Sequence, residues 1–253
     1  MTDRFAVVVP LFNEPDVART LEALRSQKDA GDFRIYIVDN GSTDDSVHRV
    51  EHFARLHPEV RIDVVEELQK GTGAACDTGF RRAMADGATV VARTDSDSEP
   101  AEDWLDRIRT AFENDPRVQL LGGTSIPLRD RYFRPGDELI LPLALGALRI
   151  ILAVCHLDAG YLRFVAGHNM AVRASSYAHT GGFARTSIDT RDEDIDFSVR
   201  VVSQLGLSAV RIDSRLRVAT SMRRVRKYGL GMMGLHHMVP QLRGKIGKVI
   251  DVR

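Results

Sequence analysis

The sequence has little cysteine and no net charge. Cys76 and Cys155 are the two cysteines in 253 residues, too few and too isolated for a disulfide framework or a zinc site. This usage favours a reducing compartment, so we expect a cytoplasmic protein, peripheral at the inner face of the membrane if it contacts lipid. Lys plus Arg equals Asp plus Glu, 35 each, so charge gives no indication of a nucleic-acid partner and we expect none.

The chain also lacks a long uninterrupted apolar run. The stretch from Leu139 to Leu157 is strongly apolar, but it contains Pro142, Gly146, Arg149 and His156. An arginine near the centre argues against a spanning helix. We therefore expect a buried or interfacial helix, with packing in the core favoured. The first residues enter a strand pattern at once, so we expect no signal peptide.

Strand-like apolar runs alternate with helical patterns in the first half. The runs begin at Ala6, Ile35, Ile62 and Thr89, and an amphipathic segment follows each one. Pro100 is expected at the start of the helix after the fourth run. Strands separated by helices of about 10 to 15 residues predict right-handed crossovers and a parallel sheet with helices on both faces. Later strands are predicted at 118–121, 164–165, 169–172 and 209–212, and a late helix at 194–205.

The domain organisation follows from this order. We see no internal repeat or flexible linker, and we expect one domain over 1–222, with a nucleotide-binding half at about 1–122 and an acceptor half at about 123–222. A basic amphipathic tail, 223–253, follows. From Arg215 onward the chain has ten basic residues and one acid, Asp251. The tail is expected to be a lid, a homodimer contact or a membrane-surface helix.

Polar motifs follow each of the four predicted parallel strands, at residues 10–14, 39–44, 70–73 and 95–97. In open α/β sheets the ligand binds beyond the carboxyl ends of the strands. Asp39 is a candidate acceptor for the ring N–H of a nucleobase. Gly71 opens a helix whose free backbone N–H groups could face an anion.

The acidic residues are the most informative feature. Asp95 and Asp97 follow a buried strand pattern, where they are costly unless a positive group satisfies them. A Mg or Mn ion carrying a phosphate would do so. A second acidic cluster begins a helix at 192–196, where crowding raises the pKa of some carboxyls and suits a general base. Asp194 is the first choice for this base and Glu193 the second. The pattern indicates an enzyme that handles a metal–diphosphate substrate and deprotonates a nucleophile.

Taken together, these segments resemble glycosyltransferase family 2, the inverting group with a GT-A fold. The likeness covers about 5–225 and is carried by residues 8–14, 38–44, 71–79, 95–97, 181–183 and 193–194. It implies an α/β fold whose central, mostly parallel sheet is of nucleotide-binding type with helices on both faces. It also implies a nucleotide-diphosphate sugar donor, with a UDP-sugar expected first. It further implies a hydroxyl acceptor, either a small molecule or lipid-linked, and a divalent cation, Mn or Mg.

The resemblance also assigns roles to residues. It implies a nucleoside pocket lined by Pro10, Phe12, Glu14 and Asp39. Asp95 would lie by the ribose and the metal, Asp97 would ligate the metal, and Asp194 would be the base. Gly71, Arg223 and Arg224 are the remaining candidates for binding the nucleotide, the two arginines at its diphosphate.

The sequence departs from the family pattern at two places. Many relatives have Ala-Arg-Asn where this chain has Ala75-Cys76-Asp77, and many have a histidine after the last core strand where this chain has Thr220 and Ser221. Two other functions compete. A sugar-1-phosphate nucleotidyltransferase would want a glycine- and arginine-rich loop soon after the first strand, which residues 13–16 do not supply. A catalytically silent nucleotide-sugar binding protein is disfavoured by Asp97 and Asp194.

Overall fold

The computed structural model describes residues 4–156, 162–185, 192–223, 225–227 and 229. These residues form an eight-stranded sheet with the order β3-β2-β1-β4-β7-β6-β8-β5. The strands are β1 Phe5–Leu11, β2 Phe33–Asp39, β3 Ile62–Glu66, β4 Val90–Arg93, β5 Ser98–Pro100, β6 Leu120–Pro127, β7 Met170–Arg173 and β8 Val210–Thr220. The first four are parallel, as the sequence predicts. β7 is antiparallel to both β4 and β6, so the sheet is mostly but not wholly parallel.

Helices cover both faces of this sheet. They are α1 Val17–Arg25, α2 Ser46–Leu56, α3 Thr72–Ala85, α4 Trp104–Asn114, α5 Asp137–His156, α6 Ala174–His179 and α7 Glu193–Leu205. Because successive strand residues point to opposite faces, Val7 and Val9 pack in the core with α1, α2 and α4. Ala6 and Val8 pack in a second core with α3, α6 and α7. The predicted two-faced α/β architecture is confirmed.

The strand order places a crevice between β1 and β4. The chain builds outward from β1 through β2 to β3 on one side, then returns to place β4 on the other side. β1 and β4 are parallel neighbours, so the loops that leave their carboxyl ends lie side by side and border a crevice, the usual position of a ligand in such sheets. The loop after Leu11 and the turn after Arg93 border this crevice. It is the place where the sequence predicts a ligand.

Three local predictions were wrong. Phe164 and Val165 are buried but form no strand. Pro100 ends the short strand β5 instead of beginning a helix, because residues 98–100 pair with β8. The apolar helix α5 does not have all its apolar residues in the core, since Leu139 and Leu143 are exposed. No helix in the described ranges has both the length and the apolar character needed to cross a membrane.

Close packing of α3 on the sheet requires a glycine at position 79. A Cβ atom there would lie 2.5 Å from Cγ1 of Val8 and 2.7 Å from Cγ2 of Val38, both on buried strands. These valines cannot move aside easily, because interiors are packed at close to crystalline density. Gly79 thus sets the distance between α3 and the β1–β2 pair.

We predict that Gly79→Ala lowers the free energy of unfolding by about 1–3 kcal/mol through overpacking. Gly146→Ala is the matched control, because a Cβ on this α5 residue meets nothing within 4 Å. The control should be neutral, or stabilising by up to about 1 kcal/mol from helix propensity. Urea unfolding followed by circular dichroism measures both. Equal effects of the two substitutions would contradict this account of the packing.

Candidate active site

A cavity of about 180 Å³ lies in the crevice beyond β1 and β4. Five of the residues predicted for the site line it, namely Pro10, Phe12, Asp95, Asp97 and Arg223. Thr220 and Ser221 also line it, because β5 pairs with the end of β8 and Ser98 Oγ donates to Thr220 Oγ1 at 3.0 Å. The last strand thereby carries the start of the basic tail to the Asp95–Asp97 turn.

Arg223 forms two ion pairs at this cavity. Its guanidinium lies 2.6 Å from Oε2 of Glu14 and 2.8 Å from Oδ2 of Asp97. Burial raises the pKa of the Glu14 carboxyl, and the charge on Arg223 opposes that shift. The buried Nε of Arg223 has no hydrogen-bond acceptor among the described residues. The arginine therefore neutralises two carboxylates and still has one N–H to donate.

Arg93 is a buried cation behind the same turn, with only 3% of its surface exposed. Its Nε and Nη2 donate to Oδ1 of Asp95 at 3.2 and 3.1 Å, and its Nη1 donates to Oε1 of Glu193 at 3.0 Å. Burial by itself lowers the pKa of Arg93, but the surrounding negative groups hold that pKa well above its ordinary value. Arg93 thus ties the end of β4 to the start of α7.

Asp194 is held by backbone groups beside this pair. Its Oδ2 accepts the N–H of Gly167 and its Oδ1 accepts the N–H of Ile195, each at 2.8 Å. Position 167 requires glycine, because a Cβ there would lie 2.6 Å from Cζ of Arg93. The close approach of this turn to the guanidinium brings Gly167 near Asp194. The two N–H bonds fix the orientation of the carboxylate.

The next residue, His168, lines the same cavity as Asp95 and Asp97. Desolvation lowers the pKa of His168, and the charges of Asp95, Asp97 and Asp194 each oppose that shift. Its Nε2 lies 2.6 Å from Oγ of Ser125, and both side chains line the cavity. The structure therefore brings the three aspartates into electrostatic range of one imidazole.

The other predicted nucleotide contacts lie in neighbouring loops. Oδ1 of Asp39 accepts the N–H of Ser42 at 3.0 Å. The N–H of Gly71 is not free as the sequence suggested, because it donates to Oδ1 of the buried Asn40 at 2.8 Å. The ammonium of Lys70 lies 4.4 Å from the centre of the Phe12 ring. Arg224 and most of the predicted tail lie outside the described residues.

The carboxylates suit a metal that substrate phosphates help to hold. Within the described ranges, no group of three or more His, Cys, Asp or Glu side chains is arranged to bind a metal ion. Mg²⁺ characteristically uses one or two carboxylates, water and phosphate oxygens. Asp95 and Asp97 offer such oxygens on one cavity wall. Arg223 already occupies a position where positive charge is stabilised by Asp97 and Glu14.

The site residues predicted from the sequence include neither Arg93 nor His168. An arginine that ends an apolar strand run was the available signal for Arg93, since a buried charge requires partners. Cys76, which stands where many relatives have arginine, lies within electrostatic range of the Arg93 guanidinium. In this chain Arg93, at the end of β4, supplies a buried positive charge near that position. No local pattern distinguishes His168 from a structural histidine.

We predict that Arg93→Met lowers the free energy of unfolding by about 3–5 kcal/mol, because it leaves Glu193 and Asp95 without their buried counterion. The double variant Arg93→Met/Glu193→Leu should recover part of that loss, since one uncompensated carboxylate is then removed. Urea unfolding measures both variants. Arg81→Met is the control, because its ion pair with Asp77 leaves the arginine side chain 63% exposed. Additive effects at positions 93 and 193 would contradict the coupling.

Comparison with known proteins gives a consistent result. The family model described as glycosyl transferase family 2 matches residues 6–179. Glycosyltransferase AglE of Haloferax volcanii is 29% identical over 120 residues, which are 47% of this chain and 38% of that protein. The matched segment thus spans well under half of that relative.

Solved structures share the fold at low sequence identity. Mannosyltransferase PcManGT from Pyrobaculum calidifontis, in complex with GDP-Man and Mn²⁺, has a TM-score of 0.66 at 19% identity, covering 99% of this chain and 68% of that one. Glucosyl-3-phosphoglycerate synthase from Mycobacterium tuberculosis, in complex with Mn²⁺, UDP and glucosyl-3-phosphoglycerate, has a TM-score of 0.62 at 20% identity. That alignment covers 96% of this chain and 80% of the synthase.

These likenesses confirm the GT-A type of α/β fold. The family match extends from the start of β1 to the end of α6 and includes the Asp95–Asp97 turn and the Gly167–Asn169 turn. With the site geometry and the family match in agreement, the chain belongs to glycosyl transferase family 2.

Proposed function

We propose that this chain transfers a sugar from a nucleoside-diphosphate sugar to an acceptor hydroxyl, with inversion at the anomeric carbon. One observation carries the proposal. The buried Arg93 joins Asp95, on the wall of the cavity beyond β1 and β4, to Glu193, the residue before Asp194. Binding a diphosphate and deprotonating a nucleophile are different tasks, and they need acidic groups from different elements in one cleft. β4 and α7 supply them.

The donor's nucleoside would bind at the loops after β1 and β2. Phe12 offers a ring face, and Asp39 offers a carboxylate at the strand end. We propose a UDP-sugar as donor, by analogy with the UDP in the Mycobacterium tuberculosis complex. The GDP-Man of the Pyrobaculum calidifontis complex makes a guanosine donor the alternative. Lys70 would have to move if a base stacks on Phe12.

Arg223 would exchange partners when the donor binds. It now pairs with Asp97 and Glu14, and its buried Nε lacks an acceptor among the described residues. A diphosphate would supply oxygen acceptors and more negative charge than one carboxylate. Asp97 and Asp95 would then hold the divalent cation. When bound, this cation stabilises the negative charge on the leaving diphosphate. Arg223 would add to that stabilisation directly.

Asp194 would act as the general base. Its carboxylate takes the proton of the acceptor hydroxyl as that oxygen forms a bond to the anomeric carbon, on the face opposite the leaving group. The bond from that carbon to the diphosphate oxygen breaks, and the nucleoside diphosphate leaves with the bonding electrons. The transition state resembles an oxocarbenium ion, as in glycoside hydrolysis.

Glu193 suits this role less well than Asp194. Its carboxylate is buried and bonded to Arg93, and burial raises its pKa while the arginine opposes the shift. Taking up a proton there would break up a buried ion pair. Asp194, in contrast, is oriented by two backbone N–H groups and has no ion pair in the structure's described part. We therefore propose that Glu193, the second choice for the base, is instead a positioning residue.

We predict that Asp194→Asn lowers the transfer rate by about 10²–10⁴-fold, the usual contribution of a general base. Binding of UDP with Mn²⁺, measured by calorimetry, should stay within about threefold of wild type, a difference worth less than about 1 kcal/mol. Asp196→Asn is the matched control, because Asp196 lies on the same helical turn and pairs with Arg200 at 2.9 Å. Wild-type turnover in the Asp194→Asn variant would remove Asp194 from this role.

We predict that EDTA stops transfer and that Mn²⁺ restores it. In Asp97→Asn, the Mn²⁺ concentration for half-maximal activity should rise at least about tenfold, because one charged oxygen ligand is lost. Glu99→Gln serves as the control, since Glu99 is two residues away and pairs with Arg19 at 2.7 Å. Full activity in chelator would refute the metal requirement. Product analysis in the same assay separates glycosyl transfer from nucleotidyl transfer and from binding without reaction.

A further inference from the structure

His168 is a half-buried histidine on the wall of the cavity beyond β1 and β4, together with Asp95 and Asp97. It follows Gly167, whose backbone N–H donates to Oδ2 of Asp194, the proposed base, at 2.8 Å. Under the proposed function, a donor places its diphosphate beside Asp95 and Asp97 and its anomeric carbon within reach of Asp194. The sugar therefore lies against the turn that carries His168.

The turn that presents His168 is fixed on both sides. The buried Asn169 accepts the indole N–H of Trp104 at 2.9 Å, and its amide nitrogen donates to one carbonyl oxygen on β6 and one on β8 at 3.2 and 3.0 Å. Gly167 is held by Asp194 on the other side. A side chain whose neighbours are locked by hydrogen bonds is presented in one orientation, as a precise binding site requires.

The two ring nitrogens of His168 have different surroundings. Nε2 lies 2.6 Å from Oγ of the buried Ser125 on β6. Nδ1 has no hydrogen-bond partner within the described ranges. Desolvation lowers the pKa of His168, so the ring is neutral at neutral pH, with one donor nitrogen and one acceptor nitrogen. Because Ser125 uses one of them, Nδ1 is left to bond a ligand.

This chemistry matches a sugar hydroxyl better than a metal ion or a diphosphate. In the part of the chain that the structure describes, no three His, Cys, Asp or Glu side chains are arranged to bind a metal ion. His168 therefore does not complete a metal site with Asp95 and Asp97. A neutral ring also attracts a diphosphate less than Arg223, which lines the same cavity. A hydroxyl is neutral, and it both donates and accepts hydrogen bonds.

The rest of the cavity wall suits a sugar as well. It carries the hydroxyl groups of Ser125 and Thr220 and the apolar side chains of Leu141 and Met222. A few fixed polar groups on a partly apolar wall are typical of sites that orient a small ligand. Hydroxyl-bearing residues can bond the polar edge of a sugar ring, while apolar residues cover its C–H groups.

We propose that Nδ1 of His168 hydrogen-bonds a hydroxyl group of the donor's sugar, which makes His168 a specificity-determining residue. The statement rests on the proposed glycosyl transfer and adds a chemical feature that the sugar must have. A sugar without this hydroxyl would leave the ring nitrogen unpaired, which costs more than the hydrogen bond itself contributes. The donor would thus be selected at its sugar and not only at its nucleoside.

The test compares binding of the sugar nucleotide with binding of the nucleotide alone, by calorimetry with Mn²⁺ and without acceptor. The donor is whichever of UDP-glucose, UDP-N-acetylglucosamine and GDP-mannose binds wild type most tightly, and its parent UDP or GDP is the reference. His168→Leu should weaken donor binding at least about tenfold, because a polar contact is lost. Binding of the reference nucleotide should stay within about threefold of wild type.

Further variants control for other effects. His168→Asn keeps an amide near the position of Nδ1 and should recover part of the lost affinity. His179→Leu alters an exposed histidine at the end of α6 and should bind donor and nucleotide as wild type does. Circular dichroism verifies folding. If His168→Leu does not fold, His168→Ala replaces it with the same expected result.

Monodeoxy analogues of the chosen donor identify the contacted hydroxyl. One of them should bind wild type at least about tenfold more weakly than the parent donor does. It should bind His168→Leu as well as the parent donor does, since that contact is already absent in the variant. Independent losses from the two changes would overturn the proposal.

Equal weakening of donor and nucleotide binding in His168→Leu would indicate a structural role and would also overturn it. Unchanged donor binding would do the same, and a raised acceptor KM in that case would assign His168 to the acceptor. Failure of all three donors to bind wild type would instead refute the proposed function, on which this assignment rests.

Discussion

The buried guanidinium of Arg93 is the interaction on which the arrangement of the cleft depends. A cation with 3% exposure must have its charge and its N–H groups satisfied, and it finds Asp95 on its own strand and Glu193 on α7. Because Glu193 directly precedes Asp194, the ion pairs of Arg93 set the distance between the Asp95–Asp97 turn and the proposed base. Breaking such a pair is far more costly than its net contribution to stability, since the remaining charge stays buried.

Two arginines supply positive charge beside the acids of the site. Arg93 satisfies Asp95 and Arg223 satisfies Asp97, so neither acid is an uncompensated charge. The two arginines differ in freedom, however. Arg93 is enclosed in the core, whereas Arg223 has a fifth of its side chain exposed and begins a segment beyond the last strand. Under the proposed function, the donor would displace Arg223 from Asp97 while Arg93 keeps Asp95 and Glu193 in place.

Helix α5 connects this cleft to the outside of the molecule. Its inward residue Leu141 lines the cavity, and its outward residues Leu139 and Leu143 are exposed. Helical periodicity lets one element serve both surfaces, since residues on its two sides differ by only two or three positions in sequence. The sequence pattern showed that α5 is apolar nearly all round. The tertiary structure, in which α5 packs against β6, buries Leu141 and leaves Leu139 and Leu143 exposed.

The sequence by itself determined the parallel half of the sheet, the helices on its two faces, and the motifs at the carboxyl ends of the strands, because these depend on local periodicity and on turn chemistry. It could not determine that Pro100 joins an edge strand or that the N–H of Gly71 donates to Asn40. Nor could it determine that Arg93 binds Glu193, about a hundred residues away in the chain, or that His168 lies near Asp194, about thirty residues away. Those outcomes depend on which strands become neighbours. Pairing between distant segments has no signature in the local pattern, so only the tertiary structure decided how the acids, the buried arginine and the imidazole meet.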